Sequence, residues 1–220
     1  MNTALRIFFK IITYVFHPIL LPTYGTILYL WANPSIVGKQ IDDSTFIHPS
    51  LVVITIFINT FIMPAMAILM MKALGFIKSV EMPDKQDRII PFIATMTFYI
   101  WAYLVVKNYF DFMLPLYSIF ILGTVVSLML SFFINLFLKL SIHMVGMSGL
   151  LAGTLIMMMT SEKSLTLVFL GIVVLTGLVA TSRLYLKAHT PKELYVGFLI
   201  GISGQMLAFS IYNRVISQMG

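Results

Sequence analysis

A polytopic all-α membrane bundle of about seven spans is the fold class this sequence predicts, and three observations predict it. Of the 220 residues, 60% are hydrophobic and only 10% are charged. Mean hydropathy is +0.99, a balance that no soluble domain of this size has. The apolar text also falls into runs of about 17–25 residues, the length a helix needs to cross the hydrocarbon core. No polar stretch is long enough for a separate soluble domain, so one membrane domain takes up residues 1–220. Cysteine is absent, which removes disulfides and thiol chemistry. The net charge of +6 suits a protein beside anionic headgroups. Sixteen Met and eighteen Phe read as lipid-facing or packing residues.

The first span is expected over about residues 11–32. It contains His17-Pro18 and Pro22, so a kink or a re-entrant start is expected, with His17 a packed or interfacial histidine rather than a catalytic one. No A-x-A-like cleavage site follows it, so it reads as a retained span. A polar loop with Pro34, Lys39, Asp42 and Asp43 leads to a second span over about 50–71, with Pro64 inside it. The stretch 72–90 is the most charged of the chain. A third span over about 91–106 is short by the usual rule and calls for little tilt or a locally thinned bilayer. Lys107 and Asp111 precede a fourth span over about 114–137. Lys139-Leu140-Ser141-Ile142-His143 interrupts the apolar text before a fifth span over about 143–160. Gly146, Ser148, Gly149, Ala152 and Gly153 on that span permit close helix approach. Ser161–Ser164 forms a tight turn, and a sixth span covers about 165–181. After a polar loop the seventh runs over about 193–213, where Gly197, Gly201, Ser203 and Gly204 again suit helix contact.

Seven crossings fix the sides. The N-terminus, 72–90, 138–142 and 182–192 share one side; 33–49, 107–113, 161–164 and the C-terminus share the other. The first side carries Arg6, Lys10, Lys72, Lys78, Lys85, Arg88, Lys139, Arg183, Lys187 and Lys192; the second has Lys39, Lys107, Lys163 and Arg214. The positive-inside rule places the richer side in the cytoplasm, although a site that itself needs cations accounts for part of the bias. The expected location is a cell membrane, the inner membrane of a bacterium.

Chemistry concentrates between the last two spans, in Ser182-Arg183-Leu184-Tyr185-Leu186-Lys187-Ala188-His189-Thr190-Pro191-Lys192-Glu193. Charge near a bilayer is expensive and marks a functional site by default. A phosphate ester spreads negative charge in its transition state, which a guanidinium such as Arg183 can grip at two oxygens. A neutral imidazole attacks phosphorus if a carboxylate holds its other nitrogen, and His189 with Glu193 form such a pair. The same residues also read as a helix start, with Thr190 at N-cap, Pro191 at N1 and Glu193 at N3, and with Arg183, Lys187 and Lys192 at headgroup level.

The spacing Ser-Arg-x5-His-x3-acid resembles the third signature of the type-2 phosphatidic acid phosphatase superfamily, the membrane lipid phosphate phosphatases. That family usually ends the signature with Asp; here Glu193 is one methylene longer. Leu140-Ser141-Ile142-His143 resembles the family's second signature, Pro-Ser-Gly-His, with Pro and Gly replaced. Ser141 is expected to N-cap the fifth helix, whose free N–H groups favour an anion, with His143 in the first turn as a general acid; a capped helix with an interfacial histidine is the other reading. The first signature, Lys-x6-Arg-Pro, is not met, because Glu81 stands seven residues before Arg88. Only a compressed version remains, Lys85 and Arg88 before Pro91, and a solvated charged loop explains it equally.

The resemblance covers roughly residues 80–205, and its three elements come in the family's order on one face of the membrane. It implies a six-span core, to which this chain adds one span, and a metal-independent phosphomonoesterase or pyrophosphatase. His189 would be the nucleophile that forms a phosphohistidine, His143 the acid and Glu193 the group that orients His189. Arg183, Arg88, Lys85, Ser141 and Ser182 would bind phosphate. The substrate would be a phospholipid phosphate or a polyprenyl (pyro)phosphate, with no cofactor.

A lipid-phosphate binding protein or transporter that kept the fold is the competing function. A transporter is expected to show internal pseudo-symmetry or charge in mid-span, and neither is visible. The basic residues sit in short loops between spans and form no stripe for nucleic acid. The four His are scattered without matched ligand spacing, so no metal is expected.

Overall fold

A computed structural model describes residues 3–35, 40–42, 45–46, 48–80, 86–110, 115–159 and 161–219. The chain builds an all-α membrane bundle. Its helices are α1 (Thr3–Val15), α2 (Leu21–Ala32), α3 (Pro49–Phe57), α4 (Met63–Ala73) and α5 (Ile89–Phe110). They continue with α6 (Pro115–Phe137), α7 (Ile142–Met157), α8 (Thr166–Tyr185) and α9 (Pro191–Met219). One short antiparallel pair, β1 (Gln40–Asp42) with β2 (Thr45–Phe46), lies in the polar loop after α2.

Among the described residues, six stretches are long and apolar enough to cross a membrane: Thr3–Ala32, Pro49–Ala73, Ile89–Tyr109, Leu116–Phe137, Thr166–Tyr185 and Pro191–Arg214. The protein is therefore embedded in a membrane. The seventh apolar helix, α7, has 16 residues, about 24 Å at 1.5 Å per residue. It can be short because it is the central helix. His143, Met144, Val145, Met147, Ser148, Gly149 and Leu150 are all buried along it and Leu155 is its one exposed residue, so little of the helix has to match lipid. It packs against α9, α6, α8 and α2. The outer helices turn Trp101, Phe133, Leu167 and Val174 outward, as a lipid-facing surface requires.

Small residues set the closest approaches. A Cβ on Gly201 would run into Ser148 Oγ and the Val145 carbonyl, and one on Gly204 into Ser127. The small face of α9 thus seats against α7 on one side and α6 on the other, the contact that its composition predicts.

Prolines explain the irregular spans. The first expected span is two helices. The chain breaks at His17, where Pro18 disfavours a helical conformation for the residue before it, and passes through a 3-10 turn, Pro18–Leu20, into α2. Between α3 and α4 the chain widens to a π turn, Ile58–Ile62, just before Pro64, whose missing N–H would leave a carbonyl unpaired. Asn59 and Thr60 bond back to the Thr55 and Ile56 carbonyls there, at 2.8 and 2.9 Å. The third span proves to be of ordinary length, the 22 residues of α5, because the helix starts earlier, at Ile89, and runs further, to Phe110.

Contacts between loops and helix ends mark the two ends of the bundle. At one end Lys163 N donates to the Ala32 carbonyl at 3.1 Å, Glu162 N to Asn33 Oδ1 at 3.4 Å and Ser35 N to Glu162 Oε2 at 3.2 Å. Lys163 Nζ also lies 4.5 Å from the centre of the Trp31 ring. At the other end Ser141 N donates to the Glu193 carbonyl at 3.2 Å and Phe9 packs on Tyr185 with ring centres 4.7 Å apart. α7 joins these ends, so it crosses.

Candidate active site

Each functional side chain is aimed by a helix end. α8 stops in a Schellman motif: Ala188 N donates to the Arg183 carbonyl at 3.0 Å and Lys187 N to the Leu184 carbonyl at 2.9 Å. Lys187 takes the left-handed position at φ 52, where glycine is usual. This reversal sends Ala188 and His189 back over the last turn of α8, beside Arg183. α9 then starts at once in a capping box. Glu193 N donates to Thr190 Oγ1 at 3.4 Å, and Thr190 N donates to Glu193 Oε2 at 3.3 Å. The same Oε2 lies 2.7 Å from His189 Nδ1. The cap and the His–Glu pair, which the sequence leaves as alternatives, are therefore one arrangement. The bond places a proton on Nδ1 and leaves Nε2 with its lone pair.

The start of α7 is fastened to the start of α9 by backbone. Besides the Ser141–Glu193 bond, the Ser141 carbonyl is pressed against Gly197, where a Cβ would lie 2.5 Å from it. His143, in the first turn, is buried, and its Nε2 donates to the Thr13 carbonyl of α1 at 3.2 Å.

A cavity of about 260 Å³ opens among these ends, and its wall includes Arg88, His143, Arg183 and His189, which come from four separate parts of the chain. Arg183 Nε is buried without a hydrogen bond, and among the described residues Arg183 forms no ion pair. Its guanidinium feels the charge of Arg88, so two cations converge on one space. Burial holds the Arg88 guanidinium below its ordinary pKa, with Glu193 opposing. Burial also lowers the His189 pKa to about 4; the Glu193 hydrogen bond opposes this, and the charge of Arg183 adds to it. At neutral pH the ring is thus uncharged. Lys139 stands at the rim, its Nζ 3.5 Å from the Ala188 carbonyl.

From this polar mouth the cavity runs inward between α5, α6, α7 and α9, along Phe92, Leu128, Leu150 and Phe120 to Gln205. Gln205 lies twelve residues beyond Glu193 on α9, roughly 18 Å deeper at 1.5 Å per residue.

Two residues expected at the site stand apart from the cavity wall. Ser182 is buried and its Oγ bonds back to the Leu178 carbonyl at 2.8 Å. Ser141 holds the N-cap position, but the expectation that its side chain caps the helix is corrected. It makes no cap hydrogen bond, and its Oγ is buried without a partner among the described residues, because the backbone bond to Glu193 turns the side chain into the protein. Lys85 lies outside the described residues. The structure adds His17, which also lines the cavity, with its ring centre 5.3 Å from that of His143. The signal was present in the sequence: a histidine at a proline break within an apolar run. Among the described residues no three His, Cys, Asp or Glu gather as a metal site. Compared with protein-family models, curated proteins and solved structures, the chain gives no match.

Proposed function

We propose that the protein is a membrane phosphatase that removes phosphate from a lipid phosphate or lipid pyrophosphate through a phosphohistidine. The observation that carries this reading is the 2.7 Å bond from His189 Nδ1 to Glu193 Oε2, on a ring that faces a cavity shared with Arg183 and Arg88. An uncharged imidazole anchored at Nδ1 presents Nε2 as a nucleophile. Two guanidiniums supply what a phosphoryl group needs as its charge spreads. The apolar depth of the cavity suits a substrate with a hydrocarbon chain, whose head stays at the charged mouth.

In the first step the Nε2 lone pair of His189 forms a bond to phosphorus. The bond from phosphorus to the lipid oxygen breaks, and that oxygen takes a proton from His143. In the second step water attacks the phosphohistidine, the P–N bond breaks, and His143 takes the proton that water loses. Glu193 stabilises the positive charge on His189 while it carries phosphate. His143 works through Nδ1 as an imidazolium, since its Nε2–H is committed to the Thr13 carbonyl, and the negative charge of the bound phosphate ester favours that charged form. The proposed chemistry uses no metal.

The test is phosphate release by purified protein in detergent and EDTA, over a panel of phosphatidate, phosphatidylglycerol phosphate and a polyprenyl pyrophosphate. Release from at least one, lost in His189→Ala, is expected. Tight binding without release from any would point to a lipid-phosphate binding protein instead.

A further inference from the structure

His17 is the one histidine on the cavity wall that the mechanism above leaves unused. The chain holds two His-Pro pairs, and they behave differently. His48 precedes Pro49 at the start of α3 and caps it: its Nδ1 accepts from Ser50 N at 3.4 Å and lies 2.7 Å from Ser50 Oγ. His17 precedes Pro18 in the same extended conformation, φ −66 and ψ 135, yet its side chain makes no capping bond. Its Nδ1 is buried and has no hydrogen-bond partner among the described residues. A buried polar atom left unpaired is destabilising, and such costs gather at functional sites. With Nδ1 sealed off, Nε2 is the nitrogen through which the ring can serve the cavity.

The neighbours of His17 point to the same space. Its ring stands edge-to-face on His143, with planes at 81°. The charge of Arg183 reaches both rings. The carbonyl that receives His143 Nε2–H belongs to Thr13, four residues earlier, so the segment from Thr13 to His17 holds His143 from two directions. A ring that merely filled space here would be met by apolar residues, not by another imidazole and a guanidinium.

We propose that His17 is a third histidine of the site, which donates its Nε2–H to an oxygen of the phosphoryl group bound beside His189, Arg183 and His143. This rests on reading the cavity as a phosphate site. It makes the N-terminal segment part of the binding machinery, through a side chain and a backbone carbonyl.

The experiment measures binding of orthovanadate, which mimics a phosphoryl group in transfer, to the purified full-length protein by calorimetry. It is run beside turnover of phosphatidate and a melting curve. His17→Phe keeps the ring's volume and removes the donor. It should weaken vanadate binding by about 10–100-fold, the usual effect of a hydrogen bond to a charged group, with an unchanged melting temperature. His17→Gln, which can still donate, should stay within about threefold of wild type. Wild-type binding by a folded His17→Phe protein overturns the proposal. So does a folded His17→Gln protein that binds as weakly as the Phe variant, because the ring would then act by shape. If the wild type binds vanadate, His17→Phe weakens it, and no lipid phosphate is hydrolysed, His17 stands and the phosphatase reading falls. If the wild type binds no vanadate, both fall.

Discussion

Glu193 carries two duties with one oxygen, and that sets how its variants behave. Oε2 receives the Thr190 backbone N–H and the His189 ring together. Glu193→Gln keeps an acceptor for the cap but cannot stabilise charge on His189. Turnover should fall at least about a hundredfold, the scale of acid–base and orientation effects, with little change in melting temperature. Thr190→Ala should do the reverse. It removes only the bond from Glu193 N, costs about 1 kcal/mol, and leaves turnover near normal. Steady-state kinetics and melting curves of both variants check this; normal turnover in Glu193→Gln would make the carboxylate structural. His189 also sets a pH dependence. Its pKa is about 4 in the folded protein against an ordinary 6.5, so the unfolded state binds more protons between these values. This ring's contribution to stability is fully present above about pH 6.5 and is lost as pH falls toward 4. The nucleophile should also stay neutral, and kcat persist, down to about pH 5. Melting temperature against pH should slope in that window for the wild type and slope less in His189→Asn. The residue types were legible in the sequence because charge is rare in such a chain: Arg183, His189, Glu193, Arg88 and His143 all stood out. Ser141 was misread, because which way a side chain turns at a helix break depends on backbone contacts with distant segments, and local spacing does not encode them.

At the scale of elements, the site depends on how closely α7 and α9 approach. Gly197 admits the Ser141 carbonyl, and a Cβ there would also lie 3.2 Å from Met144 Cβ. Gly197→Ala should push the start of α7 away, at a cost of about 1–3 kcal/mol as overpacking usually does. It should also shift His143 against His189, where an error of about 1 Å can cost about a hundredfold in rate. Gly177→Ala on α8 is the control, since nothing lies within 4 Å of its Cβ position. Equal melting temperatures and rates for the two variants would contradict the account. The spans themselves were legible, because hydropathy reports length and polar interruptions report ends. The two-helix form of the first span was announced by Pro18, and the small residues of α9 announced a contact without naming its partner. The burial of α7 was not visible, since an apolar helix reads alike whether lipid or protein surrounds it.

For the whole molecule, the account needs the His189 end and the Glu162 end on opposite faces of the membrane. The chain has no cysteine, so single cysteines report without background. Lys187→Cys and Lys163→Cys should react with a membrane-impermeant maleimide from opposite sides of sealed vesicles. Labelling of both from one side would contradict the crossing of α7 and α8. Sidedness could be reasoned from the sequence only by counting the short apolar run 143–160 as a seventh crossing beside the six longer ones. The convergence of Arg88, from the loop before α5, on the ends of α7 and α8 could not be, because it rests on packing between helices far apart in sequence.

The central claim is that His189 is a nucleophile toward phosphorus. Acid-labile, base-stable label on the protein after a brief incubation with a lipid phosphate labelled in its phosphate is the direct measure. The account predicts label on His189 in the wild type and none in His189→Ala. Phosphate release with wild-type turnover from a folded His189→Ala protein would contradict it.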